Sequence, residues 1–513
     1  MREKQKQYLE KKAEILQMGG QERVDKQHSR GKLTARERLD LLFDEGTFEE
    51  IGMFVQHRCV DFGMEKKKAP ADGLITGFGK VNGRLVYAYA QDFTCLGGSL
   101  GEMGGIKMVR LMEEACEVGA PIVALNDGGG ARIQESNDVA WYAKIFRQNV
   151  MCSGRVPQIA AIMGPCAGGS CYSPALQDFM ISTRKTSKMF ITGPKVIRTV
   201  TREEVDEDYF GSAEMHAKVS GCVHRVAEDD RDCIEQIKHY LSYFPQNCFA
   251  PLPEYACDQD PDALIPELDE ILPESPKKGY DMHKLIELIV DKDSCYEIQP
   301  DWAKNIITTL ARLNGHVIGV VANQPFYKAG CIDIDASDKM CRFVTLCSAY
   351  GIPIIYLADT PGYMPGLEQE DGGIIRHGAK ALFANSSATV PRIRIDVRKV
   401  YGGAADAMCD WGGGSDYVLS WYNAECAIMG SAGAAAVVFA KEIKAAADPD
   451  AMLKEKTEEY EALFNNPYYK AKRMYTDMVI QPSETRRILI RLLETLATKK
   501  EEHPAKRCAI FPV

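Results

Sequence analysis

The sequence lacks long apolar runs and grouped metal ligands. Its longest purely apolar stretches are about ten residues, as in 432–440, too short for a helix to span a membrane. The 17 cysteines include no Cys-x-x-Cys pair, and no cysteine or histidine group has zinc spacing. We therefore expect neither a membrane-spanning helix nor a bound metal.

Basic residues are also fewer than acidic ones. Lys and Arg number 62 against 72 Asp and Glu, a net charge of −10, so the basic face that general nucleic-acid binding requires is not expected. The odd number of cysteines is typical of free thiols in a reducing compartment. The first 17 residues mix Glu and Lys on a helical period, unlike a signal or transit peptide. We therefore expect a cytoplasmic protein.

Proline is concentrated near the middle of the chain. Seven prolines fall within 245–276, and because proline removes a backbone donor and breaks helices, this stretch is typical of a linker. It predicts two domains, residues 1–260 and 261–513.

The two halves repeat each other. An offset of 232 residues relates Asn82-Gly83 to Asn314-Gly315, each a turn signal followed by an apolar run, and it also relates Lys107 to Lys339 and Asp127 to Asp359. Each half predicts a hairpin, a Gly-rich loop, a helix and a buried strand, which together indicate an α/β fold built by duplication. The helices are expected near 106–118 and 339–350, and the buried strands near 121–125 and 353–357.

In each half a strand runs into a glycine pair, Gly168-Gly169 and, at an offset of 234, Gly402-Gly403. Glycines let backbone N–H groups approach a ligand closely, and two N–H groups aimed at one oxygen form an oxyanion hole. A tight turn that merely needs small residues is the alternative. Because the glycine pair occurs at matched positions in both halves, we favour the oxyanion hole over the tight turn.

Two further segments are candidates. The loop 126–135, which contains Arg132, follows a buried strand and is expected to line a ligand crevice, or else Arg132 pairs with a carboxylate. The basic segment 30–38 provides cations that could meet phosphates, although a solvated helix start is the commoner explanation.

Several long motifs resemble the carboxyltransferase subunits of biotin-dependent acyl-CoA carboxylases and decarboxylases, of the propionyl-CoA carboxylase β and methylmalonyl-CoA decarboxylase α type. They are RGKLTARERLDLLFD (30–44), GGSLGEMGG (97–105), GPCAGGSCYSPAL (164–176), MFITGP (189–194), DTPGYMPGLEQEDGGIIRHGAKALFA (359–384), RKVYGGAADAM (398–408) and VIQPSETRRILIRLLETL (479–496).

The resemblance implies two crotonase-like domains per chain, a hexamer, and carboxyl transfer between carboxybiotin and the α carbon of a short-chain acyl-CoA, propionyl- or methylmalonyl-CoA. It implies no metal. Gly168 and Gly169 would hold the thioester oxygen, and Gly402, Gly403 and Ala404 would hold biotin. Residues expected to contact the substrate are Ala131, Arg132, Ala167, Asp406 and Arg36.

The chain carries no Ala/Val-Met-Lys-Met biotinylation motif and no ATP-binding domain. The resemblance therefore implies a separate biotin carboxyl carrier protein, together with either a biotin carboxylase subunit or membrane decarboxylase subunits. With decarboxylase partners the same transfer would run in reverse.

The chain departs from the family pattern mainly in 136–142 and 409–423, with Gly128 and Ala405 as single differences. These departures leave the acyl group open. A crotonase-type CoA hydratase or isomerase is a competing hypothesis, although that class typically needs a placed Glu acid/base and one such domain. A non-catalytic scaffold is a third, against which the intact glycine pairs argue.

Overall fold

The computed structural model describes residues 2–135, 140–275 and 278–512. The chain divides into two compact units, Met1–Pro251 and Leu252–Val513. The second unit starts before residue 261 because Glu254 bridges to His316, and the Tyr255 N–H donates to the Gly315 carbonyl at 3.0 Å.

The first unit is built on a mixed sheet. Its order is β1-β2-β3-β4-β5-β6-β8, with β7 beside β5. The pairs β1/β2 and β2/β3 are antiparallel, and all later pairs are parallel. The strands are β1 Glu49–Ile51, β2 Leu74–Val81, β3 Arg84–Gln91, β4 Ile122–Gly128, β5 Gln158–Ala167, β6 Phe179–Thr183, β7 Lys188–Phe190 and β8 Arg225–Ala227.

The helices of the first unit are α1 Arg2–Leu16, α2 Gln21–His28, α3 Ala35–Leu42, α4 Glu102–Val118, α5 Ala140–Cys152, α6 Tyr172–Ala175, α7 Pro194–Val200, α8 Ala213–Met215 and α9 Asp230–Leu241. Helix α3 begins with a capping box: the Thr34 side chain accepts from the Glu37 N–H, and the Glu37 carboxylate accepts from the Thr34 N–H.

The second unit repeats this topology. Its sheet order is β9-β10-β11-β12-β13-β14-β16, with β15 beside β13. The strands are β9 Tyr296–Glu297, β10 Ile306–Leu313, β11 His316–Asn323, β12 Ile354–Thr360, β13 Arg392–Tyr401, β14 Tyr417–Trp421, β15 Glu425–Ala427 and β16 Met478–Ile480.

Its helices are α10 Met282–Ile289, α11 Ile334–Ala349, α12 Leu367–Gly372, α13 Ile374–Ser387, α14 Gly402–Ala407, α15 Ser431–Val438, α16 Ala440–Ala445, α17 Pro449–Phe464, α18 Pro467–Ala471 and α19 Thr485–Leu496. Trp421 is fully buried in the core, and its Nε1–H donates to Thr485 Oγ1 at 3.0 Å. Among the described residues, no helix is long and apolar enough to cross a membrane.

The α/β fold and the duplication are confirmed. The two hairpins, β2–β3 and β10–β11, lie 232 residues apart, and the Asn and Gly of each turn have positive φ, as a type I′ turn requires. The predicted helices and buried strands correspond to α4, α11, β4 and β12, whose bounds differ by a few residues from the predicted ones.

Lys107 and Lys339, buried at matched positions, connect a helix to the hairpin in each unit. Lys107 donates to the carbonyls of Ala71 and Leu74, and Lys339 donates to three carbonyls near the start of β10, at 2.8–2.9 Å. Burial lowers the pKa of each ammonium to about 8. These lysines therefore serve the fold at the same place in both units.

A buried ion cluster joins the first helices to the sheet. The Asp127 carboxylate accepts from Lys32 Nζ at 2.6 Å and from Arg38 Nη1 at 2.8 Å, and Arg38 Nε donates to Asp230 at 2.7 Å. Arg38 and Asp127 are completely buried. The basic segment is therefore largely internal, and its interpretation as a solvated helix start is wrong for these two cations.

Replacing Arg38 with Met would leave two buried carboxylates without their shared partner. We expect a loss of about 3–5 kcal/mol in the free energy of unfolding, measured by urea titration. Arg110→Met, at an exposed helix position, is the control and should change it by less than about 0.5 kcal/mol. Equal losses in the two variants would contradict a structural role for the cluster.

Candidate active site

The first glycine turn, Gly168-Gly169, follows directly on β5. Gly168 has φ +62°, a conformation that L side chains rarely adopt, and the chain then forms a short 3₁₀ turn before α6. Both glycines are partly exposed. The backbone at this point is therefore held in a shape that glycine permits and that a ligand can reach.

Neighbouring segments pack against the first glycine turn. A Cβ added to Gly130 would lie 2.8 Å from the Ala167 carbonyl oxygen, so the loop after β4 packs closely on the end of β5. The Tyr142 ring covers Gly169, and the Tyr142 hydroxyl lies 3.0 Å from Ser170 Oγ. These contacts bring Ala131, Ala167 and the glycine pair into one neighbourhood.

The second glycine turn, Gly402-Gly403-Ala404, follows β13 in the same way. Gly402 has φ +56°, and a Cβ there would lie 2.9 Å from the Ile428 carbonyl oxygen. Gly403 is exposed and Ala404 is buried. The ring near Gly403 is that of Tyr363, which comes from the loop after β12 and has Ala131 as its counterpart in the first unit.

A buried charge cluster supports the second glycine turn. Arg394 donates through Nη1 to the Ala405 carbonyl at 2.6 Å and through Nε to Asp396 at 2.7 Å. Lys470 Nζ also lies 2.9 Å from the Asp396 carboxylate. Burial opposes ionisation of Asp396, but these two cations together lower the pKa of its carboxyl. This cluster was not predicted, because a strand pattern does not show that Arg394 and Asp396 are buried together and Lys470 lies 74 residues beyond Asp396.

Asp406 lies on α14, four residues after Gly402, with an exposed side chain. Partial burial raises the pKa of the Asp406 carboxyl group, and the neighbouring Asp410 carboxylate raises it further. Asp410 also caps the short 3₁₀ turn that follows, accepting from the Gly413 N–H at 3.0 Å.

The two arginines expected at the substrate have carboxylate partners. Arg132 is buried and donates to Asp72 at 2.5 Å and to Glu135 at 2.9 Å, so it orders the loop after β4. Arg36 donates to Glu50 at 2.8 Å and lines a separate cavity of about 710 Å³.

A basic cavity of about 290 Å³ lies in the first unit, and of its lining residues only Arg30 belongs to the basic segment predicted to meet phosphates. It is lined by Arg23, Lys26, Gln27, Arg30, Phe93, Thr94, Leu96 and Gly97. Within the part of the chain that the structure describes, no carboxylate ion-pairs with its three cations. Because the Gly129 N–H donates to the Gly97 carbonyl at 3.0 Å, the cavity borders the loop that packs on Ala167.

The structure describes only part of the two segments that depart from the family pattern, 136–142 and 409–423. Residues 136–139 lie outside the described residues. Trp141 packs on Gly105, and Lys144 Nζ lies 4.2 Å from the centre of its ring. The segment 409–423 contains the turn capped by Asp410 and the strand β14, which pairs with β13.

Comparison with known proteins identifies the family. The carboxyl transferase domain model matches residues 26–510. The methylmalonyl-CoA decarboxylase subunit alpha of Propionigenium modestum is 50% identical over 507 residues, covering 98% of each chain. The carboxyltransferase subunit of propionyl-CoA carboxylase from Haloferax mediterranei is 48% identical over 505 residues, again covering 98% of each.

A solved structure agrees with the fold. The transcarboxylase 12S crystal structure, described as a hexamer with methylmalonyl-coenzyme A and methylmalonic acid bound, superposes with a TM-score of 0.98 at 50% identity, covering 100% of this chain and 98% of that one. The prediction of two duplicated crotonase-like domains is confirmed. The chain belongs to the carboxyl transferase family and is an acyl-CoA carboxyltransferase.

Proposed function

We propose that the protein moves a carboxyl group between carboxybiotin on a separate carrier protein and the α carbon of propionyl- or methylmalonyl-CoA. The glycine turn that occurs twice, with the same left-handed first residue, carries this proposal. Relatives of similar identity named for these two acyl groups support the choice of substrate.

The first glycine turn would hold the thioester oxygen through the N–H groups of Gly168 and Gly169. Deprotonation at the α carbon moves negative charge onto that oxygen, and fixed N–H donors stabilise the charge at no cost in reorganisation. Ala131 and Ala167 adjoin the turn and would shape the space for the acyl group. Arg132 would affect substrate binding indirectly, by ordering the loop after β4.

The second glycine turn suits the ureido oxygen of biotin. Its residues are small and Gly403 is exposed. Arg394 holds the turn in place by donating a hydrogen bond to the Ala405 carbonyl. Bound in its carboxylated form, biotin would supply the carboxyl group and a base for the α proton. Gly402, Gly403 and Ala404 would orient it, with Asp406 near the acyl group.

The basic cavity fits the phosphates of coenzyme A. Its three cations have no acidic partner among the residues that the structure describes, and two aromatic or apolar side chains, Phe93 and Leu96, could contact the adenine. Its position beside the loop packed on Ala167 would let one thioester reach from this cavity to the first glycine turn.

The physiological direction would depend on the partners. A biotin carboxylase subunit would supply carboxybiotin, whereas membrane decarboxylase subunits would consume it; the Propionigenium relative is named as a decarboxylase subunit. Measuring transfer of a labelled carboxyl group from a panel of carboxylated acyl-CoAs to free biotin tests the function. Transfer confined to methylmalonyl-CoA, which leaves propionyl-CoA, is expected, and its absence with every thioester would overturn the proposal.

Gly168→Ala tests the first glycine turn. The added methyl strains φ +62° and should turn the 168–169 amides away, with a loss of about 10²-fold in kcat, the effect of removing one oxyanion donor. Gly46→Ala is the matched control: φ is +71°, and a Cβ there has open space. It should strain the backbone equally and leave kcat unchanged.

Reversing charge in the basic cavity tests coenzyme A binding. Lys26→Glu and Arg30→Glu should each raise the KM for the acyl-CoA about tenfold or more, because each removes a charge-assisted contact of about 1.5–3 kcal/mol. The KM for the matching acyl-pantetheine, which lacks the nucleotide phosphates, should not change. A rise with both substrates would argue against phosphate binding.

We propose a hexamer, as described for the transcarboxylase 12S relative. Sedimentation equilibrium should then give about six times the chain mass of 56.9 kDa. A fully active monomer would contradict this assembly.

A further inference from the structure

Two cysteines enclose the first glycine turn. Cys166 lies near the end of β5 and Cys171 ends the 3₁₀ turn. The Cys171 Sγ lies 3.0 Å from the Cys166 carbonyl oxygen, and the Cys166 Sγ lies 3.4 Å from the Ser170 carbonyl oxygen. Each sulfur therefore contacts the backbone at or next to the other cysteine, so both thiols lie at the same turn.

The surroundings activate one of them. Interaction with the Cys166 side chain, together with the Phe190 backbone and the nearby His216 imidazole, lowers the pKa of the Cys171 thiol despite its burial. His216 is fixed in place, with Nε2 2.7 Å from the Met189 carbonyl oxygen and Nδ1 2.8 Å from Ser220 Oγ. We therefore assign the first attack on an oxidant to Cys171, whose S–H donates to the Cys166 and Phe190 carbonyls in the reduced protein.

The turn itself does not require these thiols. At the offset of 234 residues, Val400 and Ala405 occupy the equivalent positions in the second unit, where the first glycine has nearly the same φ. The same backbone geometry therefore forms without sulfur, and the pair is a feature of the first glycine turn alone.

We propose that Cys166 and Cys171 form a redox pair that peroxide converts into a disulfide, reversibly switching off the first glycine turn. The loss of activity rests on the proposed function of that turn, whereas formation of the disulfide does not.

The chemistry balances with hydrogen peroxide as the oxidant. The Cys171 thiolate attacks one peroxide oxygen, the O–O bond breaks, and hydroxide leaves, so that Cys171 becomes a sulfenic acid. The Cys166 thiolate then attacks that sulfur, forms the S–S bond and displaces hydroxide. Together, two thiols and one peroxide give one disulfide and two waters.

Closing the disulfide must move the turn. An S–S bond of about 2.05 Å is much shorter than the contact between two thiol sulfurs, so the backbone between the cysteines has to shift. That backbone is Ala167 to Ser170, which carries the N–H groups assigned to the thioester oxygen. A shift there would misdirect those donors, with a loss of about 10²-fold in kcat.

The test uses variants copied from the second unit. After treatment with peroxide, the full-length enzyme should lose about 10²-fold in carboxyl transfer, and dithiothreitol should restore it. Cys171→Ala and Cys166→Val should resist the treatment. Cys508→Ser, which alters an exposed cysteine in the second unit, should remain as sensitive as the parent enzyme.

Mass spectrometry of the treated enzyme gives an independent readout. The peptide spanning both cysteines should lose two hydrogens, and dithiothreitol should restore them. An unchanged peptide, or equal inactivation of Cys171→Ala and the parent enzyme, would overturn the proposal. If the untreated enzyme carries out no carboxyl transfer, the proposed function fails, while the mass change still decides whether the disulfide forms.

Discussion

A buried carboxylate at a break in strand register is the constraint on which each unit depends. Asp127 lies where the pairing of β4 and β5 shifts, and Asp359 lies at the same shift between β12 and β13. A buried carboxylate without a partner costs several kcal/mol, so cations must reach it. In the first unit they come from the N-terminal segment, and in the second Arg398 provides the partner from the adjacent strand.

These shifts place the glycine turns. Beyond Asp127, β4 and β5 pair in a shifted register, Gly128 with Cys166, and the loop after β4 then folds onto the end of β5, where the chain turns at Gly168. The second unit does the same, yet the two turns differ in what supports them. Arg394 and Asp396 form an ion pair beneath the second, while the residues at their equivalent positions beneath the first are Ala160 and Ile162. One scaffold thus presents two chemically different turns.

Local signals made most of the fold predictable. The Asn-Gly hairpins, the repeated spacing and the glycine pairs each depend on a few consecutive residues, and the structure has all of them. The roles of charged residues were harder to predict, because a basic segment does not reveal which acids it meets. Lys32 and Arg38 turn inward to Asp127, whereas Arg30 lines a cavity.

By itself, the sequence determined the duplication, the α/β class and the family resemblance, because backbone conformation and repeat spacing are encoded within short segments. Only the tertiary structure decided which charges are buried together, which rings cover the glycines, and that two thiols lie against the backbone of one turn. Those contacts join residues far apart in the chain or depend on how a turn folds back. Their energies arise from burial and geometry, which a linear pattern does not contain.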